Sequence, residues 1–213
     1  MTDRYPGYDV LDKRWTESWN EPTREVIDRR LAMPRGPRFF STAEWQTLNA
    51  VCDRIMPQPK DRPPVPLAAF VDQKITDRLL DGYRYADMLP QDEAWRRGLA
   101  ALDQAAQDAH GAPFHVLPCE QQDALLLQMQ QGEMSAEALG GMPCKMFFEH
   151  RVIPDITHAY YAHPVAWSEI GFGGPASPRG YVRMGLDRRD PWEAVEANSG
   201  EEAQGRRRND RVE

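Results

Sequence analysis

Cysteine is scarce in this chain: three residues in 213, Cys52, Cys119 and Cys144, widely spaced and without a CxxC pair. That excludes a disulfide framework and a structural zinc knuckle, and leaves three small buried hydrophobes as the expectation. Basic charge is also short, with 26 Lys and Arg against 33 Asp and Glu and a net charge of −7. A protein that binds nucleic acid by neutralising phosphates needs the opposite balance. No apolar run approaches the roughly 18 residues that a membrane-spanning helix requires. No segment alternates apolar and polar residues over the length of a strand, and no repeat is visible, so the expected fold is all-α. With 41% hydrophobic and 28% charged residues, the composition is that of a folded chain. Its length suits one compact helical domain with irregular extensions.

Breakers, by contrast, are plentiful: 18 prolines and 15 glycines, and they cluster. Residues 1–40 mix charge, aromatics and proline, and read as an extended N-terminal arm in which only Glu21 to Leu31 suits a short helix. Trp15 and Trp19 on such an arm need cover, either from the domain or from a partner. The first strong helix signal is at Ser41, where Ser41 and Glu44 form a capping box flanked by Phe40 and Trp45. Trp45, Leu48, Cys52 and Ile55 then recur at helical spacing, and Pro57 ends the run. A stiff proline-rich connector to Pro66 leads into a second helix with Leu67, Phe70, Val71, Ile75 and Leu79 as its stripe. Asp92 to Ala109 is the third, carrying Trp95, Leu99, Leu102 and Ala106 and stopped by Gly111. Pro118 opens the fourth, with Leu125, Leu126 and Met129 inward and Gly132 at its end, and Ser135 to Leu139 suits a further turn. The fifth, Pro143 to about Tyr161, contains Pro154, which should kink it.

From His163-Pro164 onward the pattern changes. The segment 163–192 is too rich in glycine and proline for a helix, yet Trp167, Ile170, Phe172, Tyr181, Val182, Met184 and Trp192 are too apolar for a solvated tail. It must dock on something. Residues 193–213 alternate charge without apolar anchors and read as a disordered tail, including the weakly basic Arg206-Arg207-Arg208. The resulting division is an arm over 1–40, a helical domain of about five helices over 41–192 and a tail over 193–213.

No constellation of residues assembles an active site. GFGGPASPRG lacks both the Gly-x-Gly-x-x-Gly order and a Gly-Lys-Ser/Thr ending, so it offers no preset phosphate cradle. His150, His158 and His163, with Glu149, Asp155 and Glu169 nearby, are the residues on which a small helical metalloenzyme would have to rely. They form neither HExxH nor paired Glu-x-x-His motifs, and hydrogen-bonding or interface roles suit them better. No Gly-x-Ser-x-Gly elbow occurs. Asp187 and Asp190 flank Arg188 and Arg189, a pattern of surface ion pairs. The N-terminus lacks a basic stretch followed by an apolar one, and Arg29-Arg30 is followed by prolines and charges, so no export signal is expected.

FFSTAEWQTLNAVCDRIMPQ with its proline-rich connector and Phe70-Val71-Asp72, the block GLAALDQAAQDAHGAPFHVLPCEQQDALL, and MFFEHRVIPDITHAYYAHPVAWSEIGFGG together span roughly residues 39 to 192. In these stretches the chain resembles the gluconate 2-dehydrogenase subunit 3 family. The resemblance implies a small, gamma-type, non-catalytic helical subunit without a cofactor of its own. It implies a partner of the glucose–methanol–choline class that binds flavin adenine dinucleotide (FAD), and in many members a cytochrome c subunit. Such a subunit would stabilise and help mature or position the catalytic chain. Family members often carry a twin-arginine signal, and this chain shows none, which reads as cytoplasmic by sequence and periplasmic if a partner carries it. The family's last helix commonly ends in a Pro-x-Tyr-Gly-Gly-like turn, where this chain has the longer GFGGPASPRGY, a departure that suggests a subgroup with a different partner or substrate. A metalloenzyme and a free-standing ligand-binding module are the alternatives. Aromatic and arginine anchors are typical of interfaces, so the expected partner contacts are Trp167, Phe172, Arg179, Tyr181, Arg183 and Trp192, with Trp15 and Trp19 on the arm.

Overall fold

Asn20 starts the first helix by accepting a hydrogen bond from the Thr23 amide (3.1 Å), and α1 runs Glu21–Leu31 in this computed structural model, which describes residues 3–60, 62–183, 185–186 and 189–210. The capping box is present at α2 (Thr42–Ile55): the Ser41 amide donates to Glu44 (2.8 Å) and the Glu44 amide to Ser41 Oγ (3.3 Å). Next come α3 (Leu67–Thr76), α4 (Gln91–His110) and α5 (Cys119–Gln131). Gly111 and Gly132, in the left-handed region at φ 70° and 84°, end the last two. A short α6 (Cys144–Phe147) continues through a π-helical stretch, Phe148–Val152, into α7 (Ile153–Tyr161). Two further helices, α8 (Pro164–Glu169) and α9 (Glu202–Asn209), complete the set, with 3₁₀ turns at Val10–Trp15 and Phe114–Val116. The fold is all-α, with nine α-helices among the described residues where about five were expected. Among the described residues the nearest thing to a strand is one isolated bridge between Trp19 and Ser177.

The expected kink at Pro154 takes a specific form. Proline cannot donate to the carbonyl one turn back, that of His150. The helix widens to the π geometry just before it, and Arg151 Nη1 donates to the His150 carbonyl (3.2 Å) in place of the missing amide. The stripe expected on α3 stops short of Leu79. That helix ends at Thr76, Arg78 follows in the left-handed region at φ 52°, and Leu79 is exposed.

Contacts divide the chain into two compact units, one made of residues 34–160 and the other of the two chain ends, 1–33 with 161–213. These boundaries fall at 33/34 and 160/161, whereas the sequence suggests boundaries at 40 and 192.

In the central unit, Leu48, Val51 and Cys52 of α2, Trp95, Leu99, Leu102 and Ala106 of α4, and Leu125, Leu126 and Met129 of α5 are all buried. Each large side chain so buried contributes about 1.5–3 kcal/mol. Gly98 admits the Phe147 ring: a Cβ there would lie 2.1 Å from Phe147 Cε1, while Phe147 meets Trp95 edge-on at 5.4 Å. Two buried carboxylates organise the polar interior. Asp72 accepts from the successive amides of Arg38, Phe39 and Phe40 (3.0–3.2 Å), tying the entry to α2 onto α3. Asp155 accepts from Trp95 Nε1 (2.8 Å) and Lys74 Nζ (2.7 Å), and Lys74 also reaches Asp81 (2.6 Å), which Arg151 pairs from the other side.

In the terminal unit, Tyr8, Val10, Trp19, Ile27, Trp167 and Ala194 make the core. Two of the sequence expectations fail here, for physical reasons. The 163–192 segment does contain a helix, α8, because His163 Nδ1 accepts from the Val165 amide (3.3 Å) and Pro164 sits at the first turn, where its missing amide costs nothing. The tail expected to be disordered contains α9, because its anchors are polar rather than apolar. Asn209, fully buried, donates to the carbonyls of Pro6 (3.0 Å) and Val195 (2.9 Å) and accepts from the Val195 amide (2.7 Å). Residues Met184, Asp187 and Arg188, part of the expected docking segment and ion-pair cluster, lie outside the described residues.

Candidate partner interface

The eight expected anchors separate into a buried set and an exposed set, all within the terminal unit. Trp19 is buried at 1% exposure with Nε1 donating to the Pro175 carbonyl (3.0 Å), and Trp167 at 5% with Nε1 donating to the Tyr161 carbonyl (2.6 Å). Both are core residues with satisfied polar ends, so neither side chain is presented to a partner. Trp192 is half-buried, with the Arg179 guanidinium 4.1 Å over its ring. Arg179 also donates to Ser18 Oγ (3.0 Å) and so serves this unit internally.

The exposed set is what a partner can meet. Tyr181 is 71% exposed, tethered through its hydroxyl to the Gly174 carbonyl (3.1 Å), and Val182 beside it is 75% exposed. Phe172 is exposed on one side and packs edge-on to Trp167 at 5.9 Å. Arg183 holds Glu193 with both ends of its fork (3.0 Å each). Trp15 stands almost clear of its unit between the guanidiniums of Arg14 and Arg24, each 5.3 Å from its ring. Leu186, 91% exposed, was not among the expected anchors. Its signal was available as an apolar residue inside a charged run, and so was that of Val182 next to Tyr181.

A buried cation lies beneath this surface. Lys13 is fully buried, with Nζ 3.4 Å from the Gly173 carbonyl and 5.5 Å from the centre of the Tyr8 ring. Burial, reinforced by the Arg179 charge and only partly offset by Glu193, lowers its pKa to about 8. Burial likewise pushes the Tyr8 phenol up.

The three histidines have local roles. His150 stacks on Tyr85 with centroids 4.4 Å apart, His158 is exposed on α7, and His163 caps α8. Among the described residues no group of three His, Cys, Asp or Glu side chains is placed to hold a metal ion. Cys52 is buried and its thiol is pushed up by burial, while Cys144 donates from Sγ to the Met134 carbonyl (3.3 Å). Among the described residues no helix is long and apolar enough to cross a membrane.

A family model, gluconate 2-dehydrogenase subunit 3, matches residues 42–174, which covers α2 to α8 and the start of the glycine-rich segment. The chain belongs to that family. The match leaves out the N-terminal 41 residues and everything after Gly174, so it covers the central unit almost entirely and the terminal unit only in part. No match was found among curated proteins or among solved structures.

Proposed function

We propose that this chain is a non-catalytic small subunit that stabilises, and helps mature or position, an FAD-dependent dehydrogenase. The family's name, a third subunit of a dehydrogenase, supports membership of a multi-subunit assembly. The observation that carries the interfacial reading is the exposed apolar group at Tyr181 and Val182, with Phe172 and Trp15 on the same unit. Large apolar side chains this exposed favour burial against another surface. Aromatic anchors beside an arginine are the composition of an interface centre. A partner that binds there gains folded-state stability by mass action, and the same linkage favours its cofactor-loaded form.

The flavin, and in some assemblies a cytochrome c, belongs to the partners in this reading. This chain contributes buried surface rather than chemistry. Co-expression of a glucose–methanol–choline-type catalytic chain from the same host, with and without this protein, tests the proposal. Soluble, flavin-loaded catalytic chain should rise several-fold when the subunit is present, and Tyr181→Ser with Val182→Ser should remove most of that gain without unfolding the subunit. Equal yield and equal flavin content in all three arms would refute it.

A further inference from the structure

A cavity of about 710 Å³ opens in the central unit between the end of α3 and the start of α4. Its volume is in the range that small-molecule sites occupy. It is lined by four guanidiniums, Arg38, Arg78, Arg84 and Arg151, against two carboxylates, Asp81 and Asp92, in a chain whose net charge is −7.

The ion pairs leave this cluster short of acceptors. Arg38 reaches Asp77 (3.0 Å), and Arg151 must share Asp81 with Lys74. Among the described residues Arg78 and Arg84 have no carboxylate partner, and Arg84 donates only to the Met88 carbonyl (2.6 Å). Two buried polar atoms of the lining residues have no partner among the described residues: Arg151 Nε and Gln91 Nε2. Arg151 and Gln91 are 8% and 7% exposed, and an unpaired polar atom at such depth calls for an explanation. Both atoms are donors, so what is missing is an acceptor. The start of α4 points the same way, since this 20-residue helix has Pro90 at its cap and no side chain to accept from its first amides.

The rest of the wall is apolar: Phe39, Ile75, Leu80 and Tyr83. A bare inorganic anion would leave that surface unused, and a metal cation would be repelled by the guanidiniums. We propose that this cavity binds a small organic carboxylate with an apolar body, its head held by Arg78 and Arg84 and its body against Phe39, Ile75, Leu80 and Tyr83. Arginine forks match a carboxylate with two parallel hydrogen bonds, which fixes orientation as well as charge. Arg151 and Gln91 supply further donors behind them once the head group is in place. The assignment stands on the cavity alone and does not depend on the partner proposed above.

Phenylacetate, hexanoate and benzoate are suitable probes, titrated calorimetrically against the full chain, with phenylacetamide as the neutral counterpart of the first and inorganic phosphate as the bare anion. At least one carboxylate should saturate at one site, at least tenfold more tightly than phenylacetamide or phosphate, and should weaken as salt rises. Arg78→Gly and Arg84→Gln should each weaken it at least fivefold. Arg78→Gly is informative because glycine accepts the positive φ that Arg78 holds, so the variant keeps or gains thermal stability while losing the guanidinium. Failure of all three carboxylates to bind would overturn the proposal. So would equal affinity for phenylacetate and phenylacetamide, phosphate binding as tightly as the carboxylates, or unchanged binding in both arginine variants.

Discussion

The two units of this protein each take a lysine out of full contact with water, and they do it in opposite ways. In the central unit Lys74 lies between Asp155 and Asp81, at 2.7 and 2.6 Å, with Trp95 and Arg151 completing the group. Burial works against its charge, but the hydrogen bonds and charges of the two carboxylates hold its pKa above the ordinary lysine value. In the terminal unit Lys13 is fully buried with a carbonyl 3.4 Å away and, among the described residues, no carboxylate at ion-pair distance. One cation is built into a network, and the other is tolerated. The lesson is that burial alone does not say whether a charge helps a fold; the partners at hydrogen-bond distance decide.

The same substitution should therefore act with opposite sign in the two units. Lys74→Met strands the Asp155 carboxylate, whose side chain is 1% exposed, and should destabilise the central unit by about 3–5 kcal/mol. Because two units are present, one melting temperature does not describe both, and segment-resolved amide hydrogen exchange is the measurement to make. A Lys74→Met variant with unchanged protection in α3 and α4 would show that the network is ornamental.

Gly98→Ala probes packing in the same unit. Alanine is normally the better helix residue by about 1 kcal/mol, but here its Cβ meets the Phe147 ring at 2.1–2.8 Å. Overpacking should win, with a net loss of about 2–3 kcal/mol in the stability of the central unit read by the same exchange experiment.

Lys13→Met should instead stabilise the terminal unit, by about 1–2 kcal/mol near neutral pH, because it removes a buried charge whose burial outweighs the attraction of Glu193. The pH dependence carries the same signature. The folded Lys13 loses its proton near pH 8 and the unfolded one near 10.4, so the unfolded state binds more protons in between. Stability of this unit should rise from about pH 8 to about pH 10 and the rise should vanish in Lys13→Met. Above about pH 10 the raised phenol of Tyr8 reverses the trend, since the unfolded tyrosine ionises first. The central unit behaves differently. Burial opposes ionisation of Asp81, yet Lys74 and Arg151 hold its carboxyl below the usual range, so its contribution is lost only as pH falls below about 4.

The smallest effect belongs to a pair that lies on the surface. Arg54 grips Asp123 with two bonds of 2.7 Å, tying α2 to α5, but the two side chains are 26% and 51% exposed. Asp123→Asn should cost under about 1 kcal/mol, and salt should erase most of it.

The contrast between the units also marks what could be read from the sequence. The central unit announces itself by short-range signals: the Ser41–Glu44 box, the stripes through Leu48, Leu99 and Leu125, and the stops at Gly111 and Gly132. Each is a local cause of a local effect. The terminal unit is held by contacts between residues more than 150 apart, such as the Trp19 indole on Pro175 and the Asn209 amide on Pro6. No periodicity encodes these, so by sequence the tail reads as unanchored and the arm as extended. For the candidate interface, aromatic content singles out the 163–192 segment, but nothing in composition separates Trp167, which is core, from Tyr181, which faces out. The cavity around Arg78 and Arg84 was not legible, because it depends on a helix ending at Thr76 rather than continuing to Leu79.

In the function proposed above, the terminal unit presents its exposed aromatics to a flavoprotein. The most direct test is recovery of the full-length tagged chain from its native host, beside a Tyr181→Ser and Val182→Ser double variant, with flavin absorbance and mass identification of whatever accompanies each. The account predicts a large subunit carrying FAD with the unaltered chain, and at least a tenfold loss of that subunit with a variant whose circular dichroism is unchanged. An unaltered chain recovered alone and without flavin, or a variant that retains its partner in full, would contradict it.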